Sequence, residues 1–205
     1  MNAHRSTSLS AAETVRELLA EHGTTYAQDA GVTLRDEPSP LYQLLVLTTL
    51  ASTRISADIA VAAARELFAA GWRTPQRMRA STWQQRVDAL GRGHYKRYDE
   101  STAAKLDESA AYLLEEHGGD LRRLKQADDL AGAVAQFPRI GPVGAGIFVR
   151  EVQDLWGLDP FFDDRTLAAA RDLNLPSEPA RLAELAPRDE VSRLAAALTK
   201  AGQAG

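Results

Sequence analysis

An all-α protein is predicted by three features of the 205-residue chain. Apolar residues recur at helical rather than alternating spacing, Ser or Thr precedes and Gly follows one run after another, and β-branched residues are scattered, with no alternating run bounded by hairpin turns. No self-similarity with a period of about 20 to 50 residues is present, which argues against a solenoid. Short helices joined by short, capped turns imply a compact helical globule.

The run SLSAAETVRELLAEHG places Ser10 three residues before Glu13, a capping-box spacing, sets Val15, Leu18 and Leu19 on one face, and ends at Gly23. Residues 24–40 are polar, with Gly31 and two prolines, and read as a connecting loop. PLYQLLVLTTLAS is apolar nearly all round, which outside a membrane means a helix buried at the centre of its domain. SADIAVAAARELFAAG starts at a Ser56 cap, turns Leu67 and Phe68 inward and stops at Gly71. TPQRMRA and STWQQRVDALG read as a short helix and a longer one, each begun by Ser or Thr, the second ending at Gly91. DESTAAKLDESAAYLLEEHGG is a long helix with Leu106, Ala110, Leu113 and Leu114 on one stripe, and ADDLAGAVAQF is a short one arriving at Phe137. Beyond Pro176, PARLAELA and RDEVSRLAAALTKAG supply the last helices. Trp83 and Trp156 are expected in the core, and His22 and His117 close helices just before glycines, where the helix C-terminus attracts positive charge.

Composition narrows the chemistry. Apolar residues make up 44% of the chain, enough for one good-sized core or two smaller ones sharing a seam. There is no cysteine, which excludes disulfides, Cys-ligated zinc and iron–sulfur clusters. No run approaches the roughly 20 apolar residues that cross a bilayer, and MNAHRSTSLSAAETVREL lacks the apolar centre of a secretory signal. A cytoplasmic location without membrane association is therefore expected. The net charge of −4 and the pI near 5.6 argue weakly against a nucleic-acid partner. The average hides an asymmetry, since residues 71–105 hold Arg73, Arg77, Arg79, Arg86, Arg92, Lys96, Arg97 and Lys105 against Asp88, Asp99 and Glu100, an excess of five positive charges.

The stretch QFPRIGPVGAGIFVREVQDLWGLDPFFDDRTLAAARDLNLP breaks the helical pattern. Pro138, Gly141, Pro142 and Gly144 specify a tight turn between two helices, with Ile140 directed into the core. Gly141 and Gly144 allow the backbone to approach another surface, and the first amides of VGAGIFVREVQDLWG carry partial positive charge, together a phosphate site. An ordinary helix–helix turn with Pro at the first helical position accounts for the same residues. Further on, Asp163 and Asp164 stand immediately before RTLAAARDL, where a carboxylate caps the helix and is favoured in its ionised form.

The spacing of these residues resembles the helix-hairpin-helix element of the endonuclease III-like (HhH-GPD) superfamily of DNA glycosylases. That element is patterned near L-P-G-V-G-x-K-T-A and is followed by V-D-T-H-V and R-L-G-L. Phe137 to Ala145 fall on the first pattern, Phe162-Asp163-Asp164-Arg165-Thr166 on the second, and Asp172-Leu173-Asn174-Leu175 on the third without a gap. Upstream, PSPLYQLLVLTTLASTRISADIAVAAARELF is similar to P-F-E-L-L-I-A-x-x-L-S-x-Q-T-x-D, and GRGHYKRYDESTAAKL to G-x-Y-x-x-K-A. The likeness runs from about Pro38 to Leu198.

The resemblance implies two helical domains. Residues 36–157 would form a helical barrel domain with the hairpin element at about 129–155, and residues 1–35 with 158–205 a second domain carrying the catalytic aspartate. It implies a monomer acting on double-stranded DNA, with Asp163 as the catalytic carboxylate and Asp164 as its rival, since a one-residue slip exchanges them. DNA contacts would come from Arg139, Gly141, Val143 and Gly144 of the hairpin, from Arg92, His94, Tyr95, Lys96 and Arg97 of GRGHYKRY, and from Arg165. Tyr95 or His94 would stack on a base, and Leu47, Thr48, Ser52 and Tyr95 are candidates for the pocket of a flipped nucleotide. No cofactor is expected: the cysteines of an iron–sulfur cluster are missing, and a monovalent cation at the hairpin is the single candidate ion.

Three departures from the family pattern bear on activity. Val143 occupies the position of the lysine with which bifunctional members attack the sugar, and valine cannot form a Schiff base. Arg139 replaces the first hairpin glycine, which requires an altered turn or a strained backbone costing on the order of 1 kcal/mol or more. Ala51 stands near the glutamine that plugs the duplex. A monofunctional DNA N-glycosylase of base excision repair is the leading expectation. A catalytically inactive DNA-binding member is the alternative, and a helical interaction module without nucleic acid is the third.

Overall fold

The computed structural model describes residues 10–204. Residues 1–9, which include much of the stretch read as lacking a signal, and residue 205 lie outside the described residues. The chain is all-α: among the described residues there are twelve α-helices, one 3-10 helix and no strand. In order these are α1 (Ala11–His22), α2 (Tyr26–Asp29), α3 (Pro38–Ala51), α4 (Ala57–Ala69), α5 (Pro75–Ala80), α6 (Trp83–Arg92), α7 (Asp99–His117), the 3-10 helix (Leu121–Gln126), α8 (Leu130–Ala135), α9 (Pro142–Trp156), α10 (Asp164–Asp172), α11 (Pro179–Ala183) and α12 (Val191–Ala204). None of the described helices is long and apolar enough to cross a membrane. Contacts divide the chain into two compact units, one spanning Tyr26–Gly157 and the other joining residues up to Thr25 with those from Leu158 onward.

The larger unit is built on α3. Every residue from Leu41 to Leu50 is buried, because its apolar surface is continuous around the helix and neighbours must cover all of it. Helices α4, α7, α9 and the 3-10 helix pack against it, while α5 and α6 pack on α7. Local capping sets the boundaries: the side chains of Ser56, Thr74 and Thr82 accept from the first-turn amides of α4, α5 and α6, which satisfies donors that the helices leave unpaired. Gly93, which follows α6, sits where a Cβ would run into the backbone of Ala62 and Ala63 in α4, so a side chain at residue 93 would force the two helices apart.

Several expectations change here. Residues 24–40 are more than a loop, for they contain α2, whose Tyr26 and Ala27 are buried. The Glu151 carboxylate of α9 accepts from the amides of Tyr26 and Ala27 at 3.2 and 3.0 Å, Arg65 Nε donates to the Asp29 carbonyl, and Asp36 takes Lys125 Nζ at 2.8 Å and Trp156 Nε1 at 3.0 Å. Those bonds hold residues 26–35 in the larger unit, where the resemblance implied the other domain. Trp156 is half-buried against Phe148. Trp83 is not a core residue: it is 43% exposed, with Nε1 donating to the Glu100 carbonyl.

The basic segment of residues 71–105 is also less charged at its surface than its composition suggests. Arg86 is buried, Arg79 pairs with Asp107, Arg92 with Glu66, and Lys105 with Glu108.

In the smaller unit α1 and α10 pack on α12. Val15, Leu18 and Leu19 meet Phe162, Ala170, Leu182, Leu194 and Leu198 in its core. Arg193 Nε donates to the Gly23 carbonyl at 2.6 Å and Lys200 Nζ to that of Thr24 at 2.7 Å, so cations of α12 meet the carbonyl end of α1, where the helix dipole favours them.

Candidate nucleic-acid interface

The hairpin between α8 and α9 is a tight turn closed by main-chain bonds from Phe137 N to Val134 O (3.1 Å) and from Ile140 N to Phe137 O (3.0 Å). Its apolar residues point inward: Phe137 and Ile140 are buried, and Phe137 lies between the rings of Tyr112, edge-on at 4.9 Å, and His117, stacked at 5.7 Å. His117 thus closes α7 as expected and also backs the hairpin. Arg139, Gly141, Pro142 and Val143 face outward, Val143 being 71% exposed. Gly141 is the N-cap of α9 and offers no side-chain acceptor, so the first-turn amides of that helix keep no local cap, the arrangement that receives an anion. Gly144 is buried, and a Cβ there would run into the Ser52 hydroxyl at the end of α3.

Arg139 has φ 68°, in the left-handed region. The turn has the geometry suited to glycine and the arginine adopts it, so the backbone there is strained.

Two further segments lie beside the hairpin. Tyr95, expected on a base, is fully buried: its hydroxyl donates to the Leu50 carbonyl at 3.1 Å and bonds the Thr53 hydroxyl at 2.7 Å. Burial raises its pKa, opposed by hydrogen bonds from Thr53 and Thr102 and by the positive charge of Arg139 nearby. Tyr95 is therefore an anchor, pinning residues 93–98 to the end of α3 next to the hairpin, and cannot stack on a nucleotide from that position. His94 keeps the exposure that Tyr95 lacks, and its φ of 62° lies in the left-handed region. Of the pocket candidates, Leu47, Thr48 and Tyr95 are buried, and only Ser52 is part-exposed, its hydroxyl donating to the Thr48 carbonyl at 2.7 Å.

Lys96, Arg97 and Arg139 are exposed and form no ion pair among the described residues, and Arg97 lies over the Tyr98 ring at 5.3 Å. Arg54, in the turn after α3, is exposed in the same way and was not among the expected DNA contacts. Its place beside the hairpin follows from the close approach of Gly144 to Ser52, two residues before it. Arg92 is exposed but engaged with Glu66 at 2.8 Å, a surface pair worth at most about 1 kcal/mol.

In the smaller unit Asp163 is the N-cap of α10. Its Oδ1 accepts from Thr166 N at 2.8 Å and from Thr166 Oγ1 at 2.7 Å. Phe162, buried in the unit's core, fixes the approach to the helix, so that Asp163 is half-buried while Asp164 and Arg165 in the first turn face solvent. Of the two aspartates, only Asp163 is held by the fold in one orientation.

A helical unit carrying a hairpin between α8 and α9, with a second helical unit built from the two ends of the chain, defines the helix-hairpin-helix fold of endonuclease III. The chain is similar to endonuclease III in a trapped covalent intermediate with DNA, in an estranged-adenine complex (TM-score 0.55, 15% identity, covering 93% of this chain and 85% of that one). It is similar also to endonuclease III in a non-covalent DNA complex (TM-score 0.57, 14% identity, the same coverage). No protein-family model matches the chain, and no curated protein matches it in sequence.

Proposed function

We propose that the protein is a monofunctional DNA N-glycosylase that removes a damaged or mismatched base from double-stranded DNA. The observation that carries this reading is Asp163, a carboxylate held in one orientation at the N-terminus of α10 by two donors from Thr166. Breaking the bond from the base to C1′ leaves positive charge on the sugar. A carboxylate at that place stabilises the oxocarbenium-like transition state and accepts the proton of the water that adds to C1′. Val143 has no amine, so release of the base leaves the sugar in the strand as an intact abasic site, and the strand is not cut by a Schiff-base route.

Binding would rest on the uncapped amides of α9, with Lys96, Arg97, Arg139 and Arg54 on backbone phosphates and His94 as the exposed residue able to stack. A cation at the hairpin would find main-chain oxygens and the Gln136 amide oxygen, since residues 136–145 contain no acidic side chain, and such neutral hard donors suit a monovalent ion. Arg139→Gly supplies a check on the hairpin. It should relieve the left-handed strain, leaving the protein as stable or up to about 1 kcal/mol more stable. It should also weaken DNA binding and lower the salt dependence of log K by about one unit. Thermal unfolding and fluorescence anisotropy across a salt series measure the two effects.

The alternative, a DNA-binding protein without turnover, is favoured by Ala51, which offers no hydrogen bond to an orphaned base. A panel of duplexes carrying uracil, alkylated purines, oxidised bases or mismatched adenine, treated afterwards with alkali, separates the readings. Abasic sites revealed only by alkali support the monofunctional glycosylase, and strand breaks without alkali refute it. Salt-dependent binding with no abasic product on any duplex supports the silent binder, and no binding at low salt points to an interaction module.

A further inference from the structure

A helix N-cap needs only one acceptor for one backbone amide, and Asp163 already has that in Thr166 N at 2.8 Å. The Thr166 hydroxyl on the same oxygen at 2.7 Å is additional. It sits on a side chain with 0% exposure, at a buried first-turn position of α10 where valine would pack equally well. Burying a hydroxyl in an apolar core is unfavourable unless it is bonded, so the choice of threonine over valine calls for a partner, and the partner is Asp163.

The hydroxyl is itself constrained. Thr199 of α12, nearly buried, donates its proton to the Ala195 carbonyl at 2.9 Å and lies 3.3 Å from Thr166 Oγ1. With the Thr199 proton committed to Ala195, and a carboxylate able only to accept, the Thr166 proton goes to Asp163 Oδ1. Two donors from one residue, at the backbone and at the side chain, fix the plane of the carboxylate and with it the direction of Oδ2.

We infer that Thr166, backed by Thr199, is a positioning residue that sets the orientation of the Asp163 carboxylate for base release. This rests on the glycosylase reading. A carboxylate that swings about its side-chain torsions spends part of its time off the line to C1′, and loss of orientation appears in turnover rather than in DNA affinity.

The test uses the full chain on the duplex the panel identifies, under single-turnover and steady-state conditions. Thr166→Val, which removes the hydroxyl and keeps the branched shape, should lower kcat about tenfold with KM and DNA affinity unchanged. Thr166→Ser, which keeps the hydroxyl, should restore kcat to within about threefold of the parent. A kcat for Thr166→Val equal to that of the parent overturns the inference, as does a Thr166→Ser variant as slow as Thr166→Val, which would make the role one of packing. Should Thr166→Val not fold, Thr199→Val takes its place. It should slow kcat about two- to threefold at unchanged KM, and parental kcat there overturns the inference equally. Absence of base release by the parent on every duplex refutes the glycosylase reading and this inference with it. Parental turnover that is abolished by Asp163→Asn but untouched by Thr166→Val refutes the inference alone.

Discussion

Asp163→Asn should abolish base release, lowering single-turnover rates by about a thousandfold or more, while leaving fold and DNA affinity intact. The magnitude follows from removing a preorganised charge at a site where positive charge develops. Loss of even one neutral donor in such a position costs about a hundredfold to a thousandfold. The substitution is well controlled because Asn and Asp are about equally good N-caps. The side-chain oxygen of the introduced amide can accept from Thr166 N and Oγ1 as the carboxylate does, so α10 keeps its cap and unfolding should shift by less than about 0.5 kcal/mol. Asp164→Asn, at an exposed first-turn position, should retain turnover. If Asp163→Asn keeps parental activity, or if Asp164→Asn is the dead variant, the assignment is wrong.

The largest loss of stability is expected at Arg86. This residue is 4% exposed. Its Nε donates to the Ala103 carbonyl at 2.9 Å, and Nη1 donates to the Met78 and Ser81 carbonyls and the Ser81 hydroxyl at 3.2, 2.8 and 2.9 Å. Asp107 lies 3.5 Å away. One guanidinium therefore ties the end of α5, the middle of α6 and the first turns of α7. Burial pushes its pKa down, opposed by Asp107, yet an arginine stays charged and the fork of donors is kept. Arg86→Met fills much of the volume but leaves several carbonyls without their donor, and the free energy of unfolding should fall by about 3 kcal/mol or more. Arg86→Lys should rescue little, because a single ammonium cannot span three helices. Urea unfolding with an unchanged m-value measures the loss. DNA affinity per folded molecule should be unchanged, since Arg86 faces the interior. A stable Arg86→Met protein with weakened DNA binding would return this arginine to the surface and refute the assignment.

What could be read ahead of the structure was what lies close along the chain. Caps at Ser10, Ser56, Thr74 and Thr82, the apolar run of α3, the turn at Phe137–Gly141 and the aspartates before α10 each depend on residues a few positions apart, and their physics is local. Helix α2 escaped notice because so short a helix carries no period. It is held by Glu151, far along the chain in α9. The burial of Tyr95 and Arg86 escaped for the same reason, since composition counts a tyrosine or an arginine without saying which side of the helix meets its partners. Arg54 was not expected on DNA and acquires its place only when the hairpin packs Gly144 against Ser52.

By itself, then, the sequence determined the longer helices, the hairpin and the absence of an amine at residue 143. Tertiary structure alone decided which cations remain exposed, that Arg139 carries a left-handed backbone, and that Thr199 of α12 backs the Thr166 hydroxyl bonded to Asp163. The physical reason is that helix period and capping are settled within a turn or two of chain. Burial, ion pairing and side-chain orientation depend on partners that only packing brings together.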